Sequence, residues 1–182
     1  QYFSHVTAEV NNEFQLINIH MYMNPYNGKI SLFIGRLLSP PSPTSSSSGV
    51  AFYAYMSSIL TSPSKQHVLV FDVVKTNMGN AYHPTTGVFM VPESGVYVFT
   101  WTFRTGNNYD HSIELVINRE SFGAIYLHTV AGAEVEETGI VVAHVNAGDD
   151  VFVRTHSNFP IGNNHYIWSN GYGRSSFAGW KI

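Results

Sequence analysis

The stretch from Phe71 to Trp101 constrains the fold of this chain more than any other part of it. It ends in the run GVYVFTW, in which large apolar side chains alternate with other residues, as in a strand with one buried face. Before that run, Phe71, Tyr82 and Phe89 are separated by Asn, Gly and Pro residues that favour turns. The pattern predicts a turn-rich segment that large side chains anchor to a β-sheet core.

Seven residues of this stretch have a spacing that resembles the signature of the complement C1q globular-head family. They are Phe71, Asn77, Tyr82, Phe89, Gly95, Tyr97 and Phe99. The last signature position is usually Phe or Tyr, and here it is Trp101. The resemblance extends from Gly49–Ser58, which is similar to the family's first strand, to Ser175–Ile182, which is similar to its last.

This resemblance implies an all-β fold, an antiparallel jelly-roll β-sandwich of the C1q and tumour necrosis factor type. It also implies a homotrimer in an extracellular fluid, with a secretory signal peptide removed before Gln1. Strand-like patterns elsewhere favour the same fold, because short alternating runs such as His111–Asn118 and Val151–His156 are separated by turns, without helical periodicity. The run His67–Val74 is predicted to be a buried strand, and Ser157–Gly173 a long loop.

The residues before the head are predicted to form a separate extension. Phe14–Met23 and Ile30–Leu38 alternate on either side of Asn27-Gly28, a strong hairpin turn, so residues 1–38 are predicted to form an N-terminal β-hairpin extension. This hairpin is either an added pair of strands on the domain surface or an oligomerisation arm. Residues 39–48 form a Pro/Ser linker, and residues 49–182 form the head. No Gly-X-Y repeat is present, so no collagen triple helix is expected.

Composition excludes several classes of function. A net charge of −3 without a Lys/Arg run gives no basic surface for nucleic acid, and no apolar run reaches the ~18 residues of a membrane span. The absence of cysteine excludes disulfides and thiolate chemistry. No nucleophile-elbow or phosphate-loop motif is present, so we expect the protein not to be an enzyme.

Metal binding stays open, with its ligands unknown. Nine histidines are present, without the close spacing of common metal motifs, although His144 and His156 are candidates to meet across strands. The resemblance implies calcium, but Leu127-His128 and Ser169–Gly173 stand where relatives carry acidic residues. The remaining carboxylate candidates are Asp110, Glu134, Glu136 and Glu137 in a predicted loop, and the pair Asp149 and Asp150.

Two loops rich in Asn, Tyr and His, Gly106–His111 and Phe159–Arg174, are the candidate binding surface. The candidate ligand-binding residues are Asn107, Asn108, Tyr109 and Asp110 in the first loop and Asn163, Asn164, His165, Tyr172 and Arg174 in the second. Amides and hydroxyls suit sugar hydroxyl groups, aromatic faces suit sugar rings, and Arg174 suits a carboxylate such as that of sialic acid. Alternatively, the tyrosines line the trimer axis and the asparagines hold turns.

The head sequence looks most like those of bivalve mollusc haemolymph or extrapallial fluid proteins, which are typically lectin-like. The first functional hypothesis is therefore a secreted pattern-recognition protein that binds microbial or cell-surface glycans through trimeric heads. A second is an extracellular fluid protein that carries calcium or heavy metals and is connected with shell mineral. A third is a ligand for a cell-surface receptor.

Overall fold

A computed structural model describes the head at residues 49–106, 110–157 and 165–182, and the backbone of three strands at 2–10, 13–23 and 30–35. The chain divides into two compact units, Gln1–Ser47 and Ser48–Ile182.

The N-terminal unit is a three-stranded antiparallel sheet of β1 (Tyr2–Val10), β2 (Glu13–Met23) and β3 (Ile30–Gly35). Strands β2 and β3 form the predicted hairpin, from Met23 opposite Ile30 to Asn18 opposite Gly35, although its turn lies outside the described residues. Strand β1 adds a third member along the other side of β2. A third strand matters because an isolated two-stranded hairpin is marginally stable in water. The linker at 39–48 lies outside the described residues and stays a prediction.

The head is a sandwich of two five-stranded antiparallel sheets, with no helix among the residues described. Its strands are β4 (Ala51–Tyr55), β5 (Leu60–Thr61), β6 (Val73–Met78), β7 (Tyr82–His83), β8 (Val88–Met90), β9 (Gly95–Gly106), β10 (Asp110–Ile117), β11 (Glu120–His128), β12 (Glu134–Val145), β13 (Asp150–Thr155), β14 (Tyr166–Ile167) and β15 (Ser176–Lys181). The first sheet has the order β12-β9-β15-β4-β6, the second has the order β11-β10-β13-β8-β7, and β14 pairs with β5.

Aromatic rings hold the two sheets together. The ring of Phe52 lies 5.0 Å from that of Tyr82, 4.7 Å from that of Phe89 and 4.8 Å from that of Phe177, measured between centroids. The anchors predicted between residues 71 and 99 are all buried in this core. The apolar faces of both sheets are thereby removed from water, which is the main driving force for folding.

The prediction of a strand over His67–Val74 is wrong in its position, because the strand β6 begins only at Val73. The preceding segment is still buried at Leu69 and Phe71. The backbone of Phe71 is satisfied by a side chain, since the Tyr82 hydroxyl accepts from its N–H (3.1 Å) and donates to its carbonyl (3.0 Å). Burial raises the pKa of the Tyr82 phenol, which keeps it protonated for this role.

The signature residue Asn77 closes the next turn with its side chain. Its Nδ2 donates to the Tyr82 carbonyl (3.0 Å), and its Oδ1 accepts from the Tyr82 N–H (3.1 Å). Between the two residues, Gly79 and Asn80 have φ values of 87° and 51°, which Gly and Asn tolerate best. The side-chain amide of Asn77 thus makes the two hydrogen bonds to the Tyr82 backbone that a neighbouring strand would otherwise make at this turn.

The indole of Trp101, the departure from the family signature, fits because two facing residues have no side chain. Trp101 is buried in β9 directly opposite Gly139 of β12. A Cβ atom on Gly139 would overlap the indole, and one on Gly123 would lie 3.3 Å from it. The larger aromatic therefore depends on glycine at these positions.

We predict that Gly139→Ala destabilises the head by about 1–3 kcal/mol, the usual cost of overpacking a core. The same change in a Trp101→Phe background should cost clearly less, because the smaller ring leaves room for the methyl group. Urea unfolding of the four proteins measures the coupling. Gly171→Ala, whose Cβ would meet nothing within 4 Å, is the control. Equal costs in both backgrounds would contradict this explanation.

Candidate functional site

Strands β4, β9 and β15 define the end of the head that lies opposite Gly49 and Ile182, which we call the distal end. Strands β4 and β15 run antiparallel, with Ala51 opposite Trp180 near the termini and Tyr55 opposite Ser176 at the other end. Strand β9 ends at Gly106 on the same side as Ser176. Both predicted loops therefore connect strands at the distal end.

Five of the predicted site residues lie outside the described residues: Asn107, Asn108, Tyr109, Asn163 and Asn164. The other four, Asp110, His165, Tyr172 and Arg174, have defined positions. These four do not form a single site.

His165 faces the protein interior and contacts His111. Both residues are buried, and their rings meet edge to face with 5.4 Å between centroids. The ring of His111 also meets Phe103 edge to face, again at 5.4 Å. His111 ends the first predicted loop and His165 belongs to the second, so this contact joins the two loops. Burial, with the nearby His165, lowers the pKa of His111 to about 4.

Tyr172 projects from a tight turn. Its side chain is 97% exposed, whereas its N–H donates to Asn170 Oδ1 (2.9 Å). The turn is closed by a hydrogen bond of 2.9 Å from Asn170 N–H to the Gly173 carbonyl. The structure thus presents a phenol ring to solvent from a backbone that is fixed by hydrogen bonds.

The buried guanidinium of Arg104 stabilises this turn by hydrogen bonds. It donates to Asn170 Oδ1 (3.2 Å), the Gly173 carbonyl (3.0 Å) and Glu134 Oε2 (2.8 Å). A second carboxylate, on Glu136, lies 3.3 Å from its Nε. A Cβ on residue 173 would lie 2.9 Å from the guanidinium, which explains the glycine there.

The prediction that Glu134, Glu136 and Glu137 occupy a loop is wrong, because β12 begins at Glu134. The register places Glu136 opposite Arg104 across β9 and β12, so the Arg104 guanidinium is the positive charge that faces this carboxylate. Alternating side chains of a strand point to opposite faces, which separates Glu137 from its two neighbours. This geometry does not gather the three carboxylates around a calcium ion.

Arg174 stacks on an aromatic ring of the first sheet. Its guanidinium carbon lies 4.8 Å from the ring centroid of Tyr55, and Lys75 Nζ lies 5.7 Å from the same centroid. The ring of Tyr53 lies 6.4 Å from that of Tyr55. We call Tyr53, Tyr55, Lys75 and Arg174 the Arg174 patch. It combines two cations with two aromatic faces, as in cation–π contacts.

A row of hydroxyl side chains continues from the Arg174 patch across the same sheet. Ser176 lies opposite Tyr55 on one side and Thr102 on the other. Thr102 Oγ1 is 2.9 Å from Thr138 Oγ1 on the next strand. Sequence reasoning found Arg174 but missed these residues, because their proximity depends on strand register across four strands.

Asp110 lies apart from the Arg174 patch, at the start of β10 in the second sheet. Its Oδ1 is 2.5 Å from Nδ1 of His128, the residue opposite it on β11. Both side chains are exposed to solvent, at 41% and 66%. Of the two predicted charged residues, Asp110 therefore belongs to the second sheet, whereas Arg174 contacts Tyr55 of the first.

The metal candidates do not assemble in the described residues. His144 lies opposite Val96 in the first sheet, whereas His156 follows β13 of the second, so they are not cross-strand neighbours as predicted. Asp149 accepts hydrogen bonds from Asn118 Nδ2 (2.8 Å) and Asn146 N–H (2.7 Å), which lower the pKa of Asp149 and hold a turn. No group of three or more His, Asp or Glu with metal-binding geometry is present in the described part of the chain.

We predict that His111 makes the head less stable in acid. A histidine whose pKa falls from 6.5 to about 4 on folding binds protons more readily when unfolded, so stability is unaffected above pH 6.5 and decreases as the pH falls toward 4. The loss at pH 5 should be roughly 2 kcal/mol. Urea unfolding at pH 7.5 and 5 should show a smaller loss in His111→Gln than in the wild type. His83→Gln, at an exposed site, should behave like the wild type; an unchanged loss in His111→Gln would contradict the assignment.

Among the residues that the structure describes, there is no helix with the length and apolar character that a membrane crossing requires. The strands account for nearly all the regular structure of the head.

Comparisons with known proteins agree with this fold. A family model for the C1q domain matches residues 51–182. The chain is 32% identical to heavy metal-binding protein HIP of Mytilus edulis over 111 residues, 59% of this chain and 50% of HIP. It is 30% identical to human complement C1q tumor necrosis factor-related protein 3 over 103 residues, 56% of this chain and 42% of that protein. The chain thus matches half or less of the length of these relatives.

Solved structures show the same architecture. The globular domain of zebrafish complement 1qA aligns with a TM-score of 0.59 at 17% identity, covering 73% of this chain and 97% of that one. Murine APRIL aligns with a TM-score of 0.55 at 11% identity, covering 74% of this chain and 99% of that one. At these identities the likeness shows the fold alone, and it confirms the predicted jelly roll. With the family model matching nearly the whole head, the chain belongs to the C1q domain family.

Proposed function

We propose that this protein is a secreted, lectin-like recognition protein that binds acidic glycans of microbial or cell surfaces through the distal ends of homotrimeric heads. The proposal rests mainly on the Arg174 patch, where cations, aromatic faces and hydroxyl groups lie side by side. Heads of this family are generally not enzymes, and we propose no catalytic activity.

The Arg174 patch suits an acidic sugar chemically. A guanidinium binds a carboxylate through two parallel hydrogen bonds, and Lys75 adds a second positive charge beside it. The ring of Tyr53, which is partly exposed, offers a flat apolar face for the C–H groups of a sugar ring. Ser176 and Thr102 supply hydroxyls that both donate and accept hydrogen bonds. Tyr172 stands exposed two residues before Arg174 and extends the surface.

An apolar area on the same sheet supports assembly into a trimer. Ile140 is 68% exposed, Val142 is 63% exposed and Trp180 is 42% exposed. They share the outer face because Val142 and Trp180 lie opposite the same residue, Val98, from its two sides, and Ile140 is two residues from Val142. Large apolar areas on a soluble protein mark interaction surfaces. Joining three heads makes weak single sites cooperate on a repetitive surface.

We predict that Arg174→Gln reduces binding to acidic glycans at least about tenfold, since a charged hydrogen bond contributes about 1.5–3 kcal/mol. A glycan array with sialylated, uronic-acid, sulfated and neutral sugars measures the effect. Arg119→Gln removes the same charge from an exposed turn between β10 and β11 and should leave binding unchanged. Ile140→Lys should produce monomers that still bind the free sugar but lose retention on dense arrays.

Binding that is equal in Arg174→Gln and Arg119→Gln would place the ligand elsewhere. An array without hits at any glycan density would reject the lectin function itself. These outcomes are distinguishable, because the first leaves binding intact and the second does not.

Heavy-metal binding is a second candidate, which two observations favour. One is the name of the mussel relative, a heavy metal-binding protein. The other is the buried His111–His165 contact, since imidazole nitrogen is the commonest ligand for transition metals. Two imidazoles alone would bind zinc or cadmium weakly. Equilibrium dialysis should then show uptake that His165→Gln abolishes and His83→Gln, at an exposed position, retains. Equal uptake by both variants would reject this site.

A further inference from the structure

A cleft of about 290 Å³ opens beside β4 at the distal end. Its walls are two segments that converge, one leaving β4 at Met56 and the other leading into β6 through Asp72. The lining residues are Met56, Ser57, Ser58, Ile59, Leu60, His67, Val70 and Asp72. None of them belongs to the Arg174 patch, so the cleft is a separate feature of the same end.

The two walls are tied together at a carboxylate. Asp72 Oδ1 accepts a hydrogen bond of 2.7 Å from the Ser57 N–H, which crosses from one segment to the other. Partial burial acts to raise the pKa of Asp72, but hydrogen bonds from Ser57 outweigh it and lower that pKa below 3.8. Asp72 therefore carries a fixed negative charge at neutral pH. A carboxylate has about four acceptor positions, so Ser57 leaves room for other donors.

The remaining walls are mainly aliphatic. Ile59 is 45% exposed, and Leu60 and Val70 are half-buried. Burying such surface against a methylene chain is favourable by about 0.8 kcal/mol for each CH₂. Among the described residues that line the cleft, none is Lys, Arg, Phe, Tyr or Trp, and His67 is the one residue that carries a ring. The cleft thus offers Asp72 no Lys or Arg partner, and it lacks the large aromatic face that a sugar ring prefers.

From this combination we propose that the cleft binds a primary ammonium group on an unbranched methylene stem, the chemistry of a lysine side chain on a partner protein. The ammonium pairs with Asp72 at the junction of the two walls. The stem lies along Ile59, Leu60 and Val70. Ser57 and Ser58 supply further oxygen acceptors beside the ammonium, which has three donors.

The test is a titration of the ¹⁵N-labelled protein with n-butylammonium, n-butanol and glucosamine, followed by amide chemical shifts. We expect shifts confined to residues 56–60 and 67–72, with n-butylammonium binding at least tenfold tighter than the other two compounds. Asp72→Asn keeps Oδ1 as the acceptor for the Ser57 N–H but removes the charge, and it should weaken binding at least tenfold. Glu120→Gln removes one exposed negative charge from β11 and should change nothing.

Three results would overturn the proposal. Equal binding of n-butanol would mean that Asp72 takes no part. Tighter binding of glucosamine would mean that the cleft is a sugar subsite. Equal weakening in Asp72→Asn and Glu120→Gln would mean that only net charge matters. Glycan binding at the Arg174 patch is independent of all three.

Discussion

The packing of Phe52 against rings from both sheets is the interaction on which the rest of the head depends. Phe52 lies in β4 of the first sheet, and the ring of Phe89, from β8 of the second sheet, stacks on it at 4.7 Å. Because these rings fix the distance and register between the layers, they also decide which loops meet at the distal end. Protein interiors are closely packed, so the glycines that lie against the Trp101 indole are part of the same constraint.

At the distal end, the strands and the turn are connected by the buried guanidinium of Arg104 and not by apolar packing. Arg104 joins β9 to β12 through Glu134 and to the turn that carries Tyr172. Removing water from a guanidinium is costly unless its donors are satisfied, and here carbonyl, amide and carboxylate oxygens satisfy them. The turn that precedes Arg174 is consequently positioned by the hydrogen bonds of Arg104 as well as by its own Asn170 and Gly173. A surface with a fixed shape is what recognition of a rigid ligand requires.

The sequence predicts the core well, because large aromatic side chains placed between turn-forming residues mark the positions that anchor to the sheets. Phe71, Tyr82 and Phe89 were identified as anchors and are buried. The predicted start of β6 is too early. The Tyr82 hydroxyl makes the hydrogen bonds to the Phe71 backbone that a neighbouring strand would otherwise make, and the alternation of side chains does not reveal such a contact. The partners of Arg104 were missed because they lie 30 to 69 residues away along the chain. In the candidate site, the sequence identifies Arg174 but not the row of hydroxyl side chains, whose proximity depends on how the strands pair. Asp72 of the separate cleft is missed for the same kind of reason, because its partner Ser57 is 15 residues away along the chain.

The most direct test of the account is a crystal structure of the head with a bound sialylated or uronic-acid oligosaccharide. We expect density at the Arg174 patch, with the sugar carboxylate within hydrogen-bonding distance of Arg174 and the sugar ring against Tyr53. Density for the sugar at another surface, with the Arg174 patch empty, would contradict it.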